Sequence, residues 1–476
     1  MSFLTKATSS FICLPRKGCP TGAILLVCCL LFPGKACCAE GAAQSTASPL
    51  TLSQALRLAL DRNPAFKQSA NQVASGAVTL TQKKANFAPE LRLSLSGEER
   101  FDKDYDALSG DRDERNYESA GGAIGSTLNL FNGFGDMAAL RGAELELAGL
   151  RDSYSRDEQT LIFTTISEFL EALTRRELIM VRRENLEGNR RQLERVEALH
   201  RAGNRPMSDL YQQQAETGSA ELDLLLAQRD EVVAKLQLLQ TIGTSPSAGV
   251  ELATADLDPL ERTLLAEVPA PLPAGILAQR PDLAAQQKQI NASREQVKEA
   301  EAGYWPTLDL SARLGSDYSS LLEPGFDQQF FDDNAAAQIG LTLAVPLFDR
   351  FVTRNNVAQA QLRQHDAELA LTRLALQADA EYGQAVEDFL TAQKLIGVTA
   401  ARLTAAREAL AAMEERYRVG AATLVELTDA RTQFTEAGYE RVKARFGLLR
   451  QRVALAYYRG DWGDLRSLLG RLESPQ

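Results

Sequence analysis

The sequence predicts a mainly α-helical chain with a small β part, built twice from one plan. Residues 217 positions apart match in order along the chain: Pro64 with Pro281, Phe131 with Phe348, Gly203 with Gly420 and Leu210 with Leu427. Two runs of about 65 residues, 136–200 and 353–417, contain no proline. Each half also carries two stretches in which apolar and polar residues alternate, which is the period of a strand. We therefore expect one β-hairpin and one long helical hairpin in each half.

The duplication predicts the domain boundaries. Residues 40–242 form the first repeat and residues 276–459 the second, each with a helix, a β-hairpin and a helical hairpin in the same order. The segment between them, 243–275, contains five prolines and is predicted to be a connector outside the long helices. Residues 1–39 are predicted to be a leader, and residues 460–476 a peripheral tail.

The leader has the pattern of a secretory signal peptide. Basic residues precede an apolar run at residues 23–32, which ends in proline and small residues. A run of about ten residues is too short for a membrane-spanning helix, which needs about 20. Two kinds of processing stay open: cleavage after Ala39, or lipidation of Cys37 or Cys38. Either one predicts an exported protein.

Composition argues against several classes of function. All six cysteines lie in the leader, so a chain cleaved after Ala39 has neither disulfides nor a catalytic thiol. Removing the four basic residues of the leader changes the formal charge from −11 to −15, which disfavours nucleic acid as a partner. His200 and His365, the only histidines, are predicted to be solvated. No metal-ligand spacing, phosphate-binding loop or nucleophile motif is present, so we expect no enzyme, cofactor or metal.

Each repeat begins with helices and continues into a predicted β-hairpin. In the first repeat, helices over 50–63 and 65–87 precede Pro89, a strand from Leu91, a polar loop over 98–118 and a strand that ends at Phe131. In the second repeat, Pro306 precedes a strand over 308–314, a loop over 315–334 and a strand over 339–347. The prolines suit a change of direction, because they lack an N–H group and restrict φ.

Each proline-free run predicts a helix close to 100 Å long, at about 1.5 Å per residue. Such helices need partners, and apolar residues at spacings of three and four predict coiled-coil packing. Each long helix ends at a turn that contains a glycine, 201–206 in the first repeat and 418–422 in the second. A second helix then returns, over 207–242 and 423–459. The result is two antiparallel helical hairpins.

The predicted strands leave two alternatives open. Four alternating strands of about ten residues have the length of outer-membrane strands, but two soluble hairpins have the same pattern. In lipid, an unpaired sheet edge is not tolerated, and single-chain barrels begin at about eight strands. Membrane insertion would therefore require an oligomer in which each chain gives four strands to one shared barrel.

Several motifs resemble the TolC-like outer-membrane factors of tripartite efflux pumps and type I secretion systems. They are LTLSQALRLALDRNP, ANFAPELRLSLSG, AGYWPTLDLSARLG, VPLFD and RYRVGAATLVELTDA. LPAGILAQRPDLAAQQ and the terminal Gly-Asp-Trp resemble the branch that works with resistance-nodulation-division pumps. The resemblance spans about residues 50–463. It implies a homotrimer in the outer membrane with a 12-strand transmembrane β-barrel and a periplasmic α-barrel. It also implies a periplasmic adaptor and an inner-membrane pump as partners.

The resemblance also implies roles for particular residues. A periplasmic gate is expected at Glu426, Asp429, Asp209, Tyr417 and Arg205, where Tyr417 and Arg205 would be the partners of the two acidic residues after the second turn. Adaptor docking is expected at Gly203, Leu210, Val419, Gly420, Leu424 and Leu427. The transitions between helix and strand are expected at Pro89, Pro306, Phe131 and Phe348. The sequence departs from the family in having Ala422 where some members carry a basic residue.

A second class of function competes with a channel. Periplasmic adaptors and coiled-coil scaffolds of export systems also contain helical hairpins. An adaptor, however, usually has one such hairpin flanked by soluble β domains. Two helical hairpins with paired alternating strands favour an outer-membrane channel subunit, a passive conduit whose cargo the sequence does not reveal.

Overall fold

The computed structural model describes residues 49–105, 112–245, 250–253, 258–268, 280–460 and 463. The helices in these ranges are α1 (Leu52–Arg62), α2 (Pro64–Ala85), α3 (Gly135–Arg201), α4 (Met207–Thr241), α5 (Asp258–Leu265), α6 (Pro281–Glu301), α7 (Phe326–Gln328), α8 (Val352–Arg418) and α9 (Leu424–Arg459). The strands are β1 (Glu90–Tyr105), β2 (Arg112–Asn132), β3 (Thr307–Ser319) and β4 (Ala336–Ala344). The predicted leader and most of the predicted tail lie outside the described residues.

The two halves share their helix boundaries. Helices α3 and α8 both contain 67 residues, and α8 begins and ends 217 positions after α3. Each follows a residue in the left-handed conformation, Phe134 with φ 67° and Phe351 with φ 65°. The predicted long helices and their reversals are confirmed. None of the helices in the described ranges is long and apolar enough to cross a membrane.

The strands form one antiparallel sheet in the order β1-β2-β3-β4. Strands β2 and β3 pair across the two halves, with Ile124 opposite Leu314. Strands β1 and β4 are therefore the edges of this sheet.

One face of this sheet is apolar. The register places Leu93 opposite Ile124, Ile124 opposite Leu314 and Ala312 opposite Ile339, so these side chains share a face. The face is exposed in the single chain: the exposed fraction is 65% for Leu93 and 81% for Ile339. The other face carries residues such as Arg92, with its Cα opposite that of Gly125.

The polar loop predicted over 98–118 is wrong. Strands β1 and β2 run through it, and pairing continues until Tyr105 lies opposite Arg112. In this register the Cα atom of Asp102 lies opposite that of Arg115. Only the hairpin tip, 106–111, lies outside the described residues. In the second hairpin a loop is present, and it contains α7 and a π-helical turn, Gln329–Asp333.

The largest buried cluster lies around the middle of the long helices. It includes Ile166 of α3, Leu238 of α4 and Phe389 of α8, each no more than 1% exposed. Burying an aliphatic or aromatic side chain of this size contributes roughly 1.5–3 kcal/mol each. Leu56 of α1 joins the same cluster, and the Thr51 side chain caps that helix.

The predicted connector does not lie wholly outside the long helices. Leu264 of α5 is buried in the central cluster, and Glu261 forms ion pairs of 2.8 Å with Arg441 and 2.7 Å with Arg445 of α9. A parallel bridge also joins Leu50 to Leu252. The described parts of the connector therefore brace the helices at mid-length.

Candidate functional site at the helical turns

The first turn (residues 201–206) and the second turn (residues 418–423) reverse the chain in the same way. Gly203 has φ 77° and Gly420 has φ 75°, in the left-handed region that favours glycine. The residue after each glycine donates its N–H to the carbonyl five residues earlier. Asn204 donates to Leu199 at 2.9 Å, and Ala421 donates to Arg416 at 2.8 Å. This hydrogen bonding satisfies carbonyl groups at the helix end.

The second turn ends in a capping box. The Thr423 hydroxyl accepts from the Glu426 N–H at 3.2 Å, and the Glu426 carboxylate accepts from the Thr423 N–H at 2.7 Å. The two groups thereby satisfy each other's backbone donors at the start of α9. These bonds to the Thr423 backbone and hydroxyl hold the pKa of Glu426 below its ordinary value.

The first turn is held by an arginine instead. Pro206 occupies the position of Thr423, and no side chain caps α4. The Arg205 guanidinium lies 4.5 Å from the centre of the Tyr417 ring and 3.6 Å from the Asp209 carboxylate. Burial raises the pKa of the Tyr417 hydroxyl, and the nearby Arg205 acts in the opposite direction. Arg205 thus connects the start of α4 to the end of α8.

A small hydrophobic core lies beneath both turns, and we call it the turn cluster. Its members are Val196, Leu210, Tyr417, Ala422, Leu424 and Leu427. Because Leu210, Leu424 and Leu427 are buried here, they are not available as docking side chains within one chain, contrary to the prediction. Among the predicted docking residues, Gly203, Val419 and Gly420 are exposed. Any docking contact is left to these residues and their backbone.

The predicted acidic pair is exposed, but its expected partners are elsewhere. Glu426 and Asp429 lie three residues apart on α9, and both are solvent-exposed. Within the chain, the prediction that Tyr417 and Arg205 are their partners is wrong, because Arg205 binds Asp209 and covers Tyr417. The base whose charge acts on Glu426 is Arg416.

Two features of the turns were missed by the sequence reading. His200 is half-buried rather than solvated, and its Nδ1 atom lies 2.9 Å from the Arg205 carbonyl. Thr423 supplies the cap, which a Thr followed three residues later by Glu should have revealed. Within the described ranges, no group of three or more His, Cys, Asp or Glu side chains is placed to hold a metal ion.

This arrangement of sheet, long helices and turns has known relatives. Residues 55–244 and 272–461 each match the sequence profile of the outer membrane efflux protein family. The chain belongs to this family. The two matches fall in the two halves of the duplication, and the family is one of transport proteins rather than of enzymes. The family resemblance noted in the sequence is confirmed.

Individual relatives agree with this family membership. The chain is 25% identical over 426 residues to outer membrane protein TolC of Escherichia coli K12, which covers 87% of this chain and 83% of TolC. It is 25% identical over 393 residues to the pyoverdine export outer membrane protein OpmQ of Pseudomonas aeruginosa, covering 81% of this chain and 80% of OpmQ.

The fold matches a solved structure of the family. The outer membrane channel CmeC of Campylobacter jejuni superimposes with a TM-score of 0.74 at 17% identity, over 91% of this chain and 94% of CmeC. The chain is an outer membrane efflux protein, an export channel that extends from the outer membrane into the periplasm. This function, predicted from the sequence, is confirmed over the adaptor alternative.

The predicted transition residues lie in or next to the strand ends where the sheet of this outer membrane efflux protein meets its helices. Pro89 and Pro306 each immediately precede a strand, β1 and β3. Phe131 meets Phe134 edge-on at 5.3 Å, and in the second half Phe348 meets Phe351 in the same way at 5.7 Å. Aromatic side chains are enriched at the membrane–water boundary of outer-membrane barrels. The two Phe pairs occupy equivalent positions just before α3 and α8.

Proposed function

We propose that the protein is a homotrimeric passive conduit for export. Each chain gives four strands to one closed 12-strand barrel, and the helical hairpins of the three chains continue it as a tube into the periplasm. A periplasmic adaptor and an inner-membrane pump supply the energy and choose the cargo. No catalytic step belongs to the conduit itself.

The observation that carries this proposal is the sheet. One face exposes leucine and isoleucine side chains along strands β1 to β4, as a lipid-facing surface would. Yet β1 and β4 are edges with unpaired backbone groups, each of which would cost several kcal/mol in lipid. Pairing β1 of one chain with β4 of the next removes both edges at once.

The number of chains follows from the width of the barrel. Two chains would close eight strands, and an eight-stranded barrel is just wide enough for its interior to be filled by side chains. Three chains give 12 strands and leave an open interior. Three is thus the smallest number of chains that makes a conduit.

The helices support the same assembly. Helix α6 packs extensively against both α3 and α8, whereas its counterpart α2 packs extensively against α3 alone among the described elements. The missing contact for α2 would be α8 of a neighbouring chain. Leu362, Leu369 and Leu376 form an exposed stripe on α8 at heptad spacing, and such a stripe needs a partner helix.

The turns provide the proposed contacts with the other components. We infer that the adaptor docks on the exposed backbone and side chains around Gly203, Val419 and Gly420. Glu426 and Asp429 would contribute six carboxylates in a trimer, arranged around the narrow periplasmic end. Rings of acidic side chains select cations. Asp209, Arg205 and Tyr417 would hold the adjacent turn in place.

Light scattering on the detergent-solubilised protein tests the assembly. We expect a protein mass of three chains, and a mass of one or two chains would contradict the shared barrel.

The variant Leu369→Glu places a charge in the exposed stripe, and it should lower the yield of trimers. Arg363→Glu is the control, because six residues along α8 place it about 120° away around the helix. Equal trimer yields from the two variants would show that the stripe is not an interface.

A further inference from the structure

The largest concentration of positive charge among the described cavities lies between α3, α8 and α9. This cavity has a volume of about 540 Å³, within the usual range for small-molecule sites. Six arginines line it: Arg191, Arg195, Arg407, Arg431, Arg441 and Arg445. We call it the basic groove. It stands out because the whole chain carries a net charge of −11.

Acidic side chains do not balance these arginines. Glu414 pairs with Arg431 at 3.0 Å, and Glu261 at one end binds both Arg441 and Arg445. Glu184 is the third acidic residue of the groove region. Three carboxylates therefore face six guanidinium groups.

Together with burial, the neighbouring positive charges lower the pKa of Arg431, the most buried of these arginines. Burial lowers the pKa of Arg431, and the nearby Arg191 and Arg195 lower it further, while Glu414 opposes them. An anion bound between these side chains would relieve this repulsion.

In the half of the groove nearer the turns, arginine guanidinium groups lack carboxylate partners among the described residues. Among the described residues, Arg191 and Arg407 form no ion pair, and both side chains are exposed and accessible to a ligand. Arg195 only donates to the Gln192 side-chain oxygen, at 3.4 Å. The Gln192 side chain also lines the groove and is 3% exposed.

The groove also has an apolar part. Leu403 and Leu410 of α8 and Phe434 of α9 line it between the arginines. Gly188 and Gly438 also line it. The lining residues extend over 15 positions of α9, from 431 to 445, or about 20 Å.

The duplication provides an internal control for this cluster. The positions equivalent to the six arginines in the other half are Glu408, Ala412, Arg190, Gln214, Leu224 and Gln228. Only one of the six is an arginine, although the helices of the two halves have matching boundaries. The helical hairpin therefore folds without arginines at most of these positions, and the fold alone does not explain the positive charge of the basic groove.

We propose that the basic groove binds an amphiphilic organic anion, a molecule with a carboxylate, sulfonate or phosphate group on an apolar body. Arg191, Arg195 and Arg407 bind the anionic group, and the apolar body lies against Phe434 and the leucines of α8. A membrane lipid is not the ligand, because Val181 is 46 residues into α3, about 70 Å from the sheet.

Binding of 1-anilinonaphthalene-8-sulfonate, a fluorescent amphiphilic anion, tests this proposal. The full protein is placed in nanodiscs of zwitterionic phosphatidylcholine, and the signal of empty nanodiscs is subtracted. We expect one saturable site per chain. The double variant R191Q/R407Q should bind about tenfold more weakly or worse, since a hydrogen bond to a charged group contributes at least about that factor.

The matched control is R363Q/R373Q, which removes two exposed arginines of α8 outside the groove. It should bind as the unsubstituted protein does. Equal weakening by both double variants, or no saturable binding at all, would overturn the proposal. Displacement of the probe by millimolar inorganic phosphate would overturn its amphiphilic part, because a simple anion would then suffice.

Discussion

The first and second turns have the same backbone but use their side chains differently. Each reverses the chain at a glycine with positive φ, and each closes with the same pattern of hydrogen bonds. The residue that follows the reversal differs, Pro206 in one and Thr423 in the other. Thr423 has an N–H group and a hydroxyl, so the carboxylate three residues later caps the helix. Proline has neither group.

This one difference changes the role of the equivalent carboxylate. Glu426 is bound to its own turn, whereas Asp209, at the same position in the first half, reaches Arg205. Arg205 then covers Tyr417, which belongs to the other helical hairpin. The second turn is therefore locally self-contained, and the first turn is fastened to its neighbour. A duplicated turn can be converted from a cap into a link between hairpins by changing its N-cap residue.

The strongest test of this link is Tyr417→Ala. The ring is 2% exposed in the turn cluster, and removing a buried aromatic side chain costs about 3–5 kcal/mol. We expect faster hydrogen exchange in both turns and more frequent channel opening in planar bilayers. Tyr417→Phe should have a much smaller effect, because it keeps the ring in the turn cluster and beneath Arg205.

The equivalent residue in the other turn provides the control for Tyr417→Ala. His200 is only half-buried, so His200→Ala should loosen the first turn without opening the second. If His200→Ala raised exchange in both turns as much as Tyr417→Ala does, the proposed asymmetry between the turns would be wrong.

The second prediction separates the two acidic positions by their effect on ions. The double variant Glu426→Ala/Asp429→Ala should lower the preference for cations several-fold and relieve block by divalent cations in single-channel recordings. Asp209→Ala should leave selectivity nearly unchanged, because Arg205 already neutralises that carboxylate. A larger loss of cation preference from Asp209→Ala than from the double variant would move the selective ring to the first turn.

Much of the helical architecture was readable because it depends on local sequence. Long runs without proline, and glycines at a common offset, predicted α3 and α8 almost to the residue. The strands were underestimated because residues 98–118 are polar, and polarity was taken to mean a loop. In the sheet register, most of these residues pair as continuations of β1 and β2.

The site was less readable than the fold because its contacts are distant in sequence. Arg205 meets Tyr417 only because α3 and α9 pack side by side, and no spacing along the chain shows that. Leu424 has the apolar character expected of a docking residue, but its burial depends on the same packing. The arginines of the basic groove lie on three helices that are distant in sequence, so no local sequence motif predicts the groove.

The smallest expected effect concerns the capping box itself. Thr423→Ala removes the acceptor for the Glu426 N–H and should destabilise the start of α9 by about 1 kcal/mol. Pro206→Ala is the matched control in the first turn, where no side-chain cap exists to lose. Hydrogen exchange is measured over residues 419–427 for Thr423→Ala and over residues 202–210 for Pro206→Ala, and the two changes are compared. Equal changes in the two segments would contradict the difference between the caps.

The carboxylate half of the box adds a pH dependence with a defined sign. The folded chain lowers the pKa of Glu426, so its contribution is present above the ordinary value of 4.5 and is lost as the pH falls through the lower folded value. Near neutral pH the second turn of the unsubstituted chain should exchange more slowly than that of Glu426→Gln. This difference should shrink as the pH falls below 4.5, and a difference that persisted in acid would show that the charge of Glu426 does not stabilise the cap.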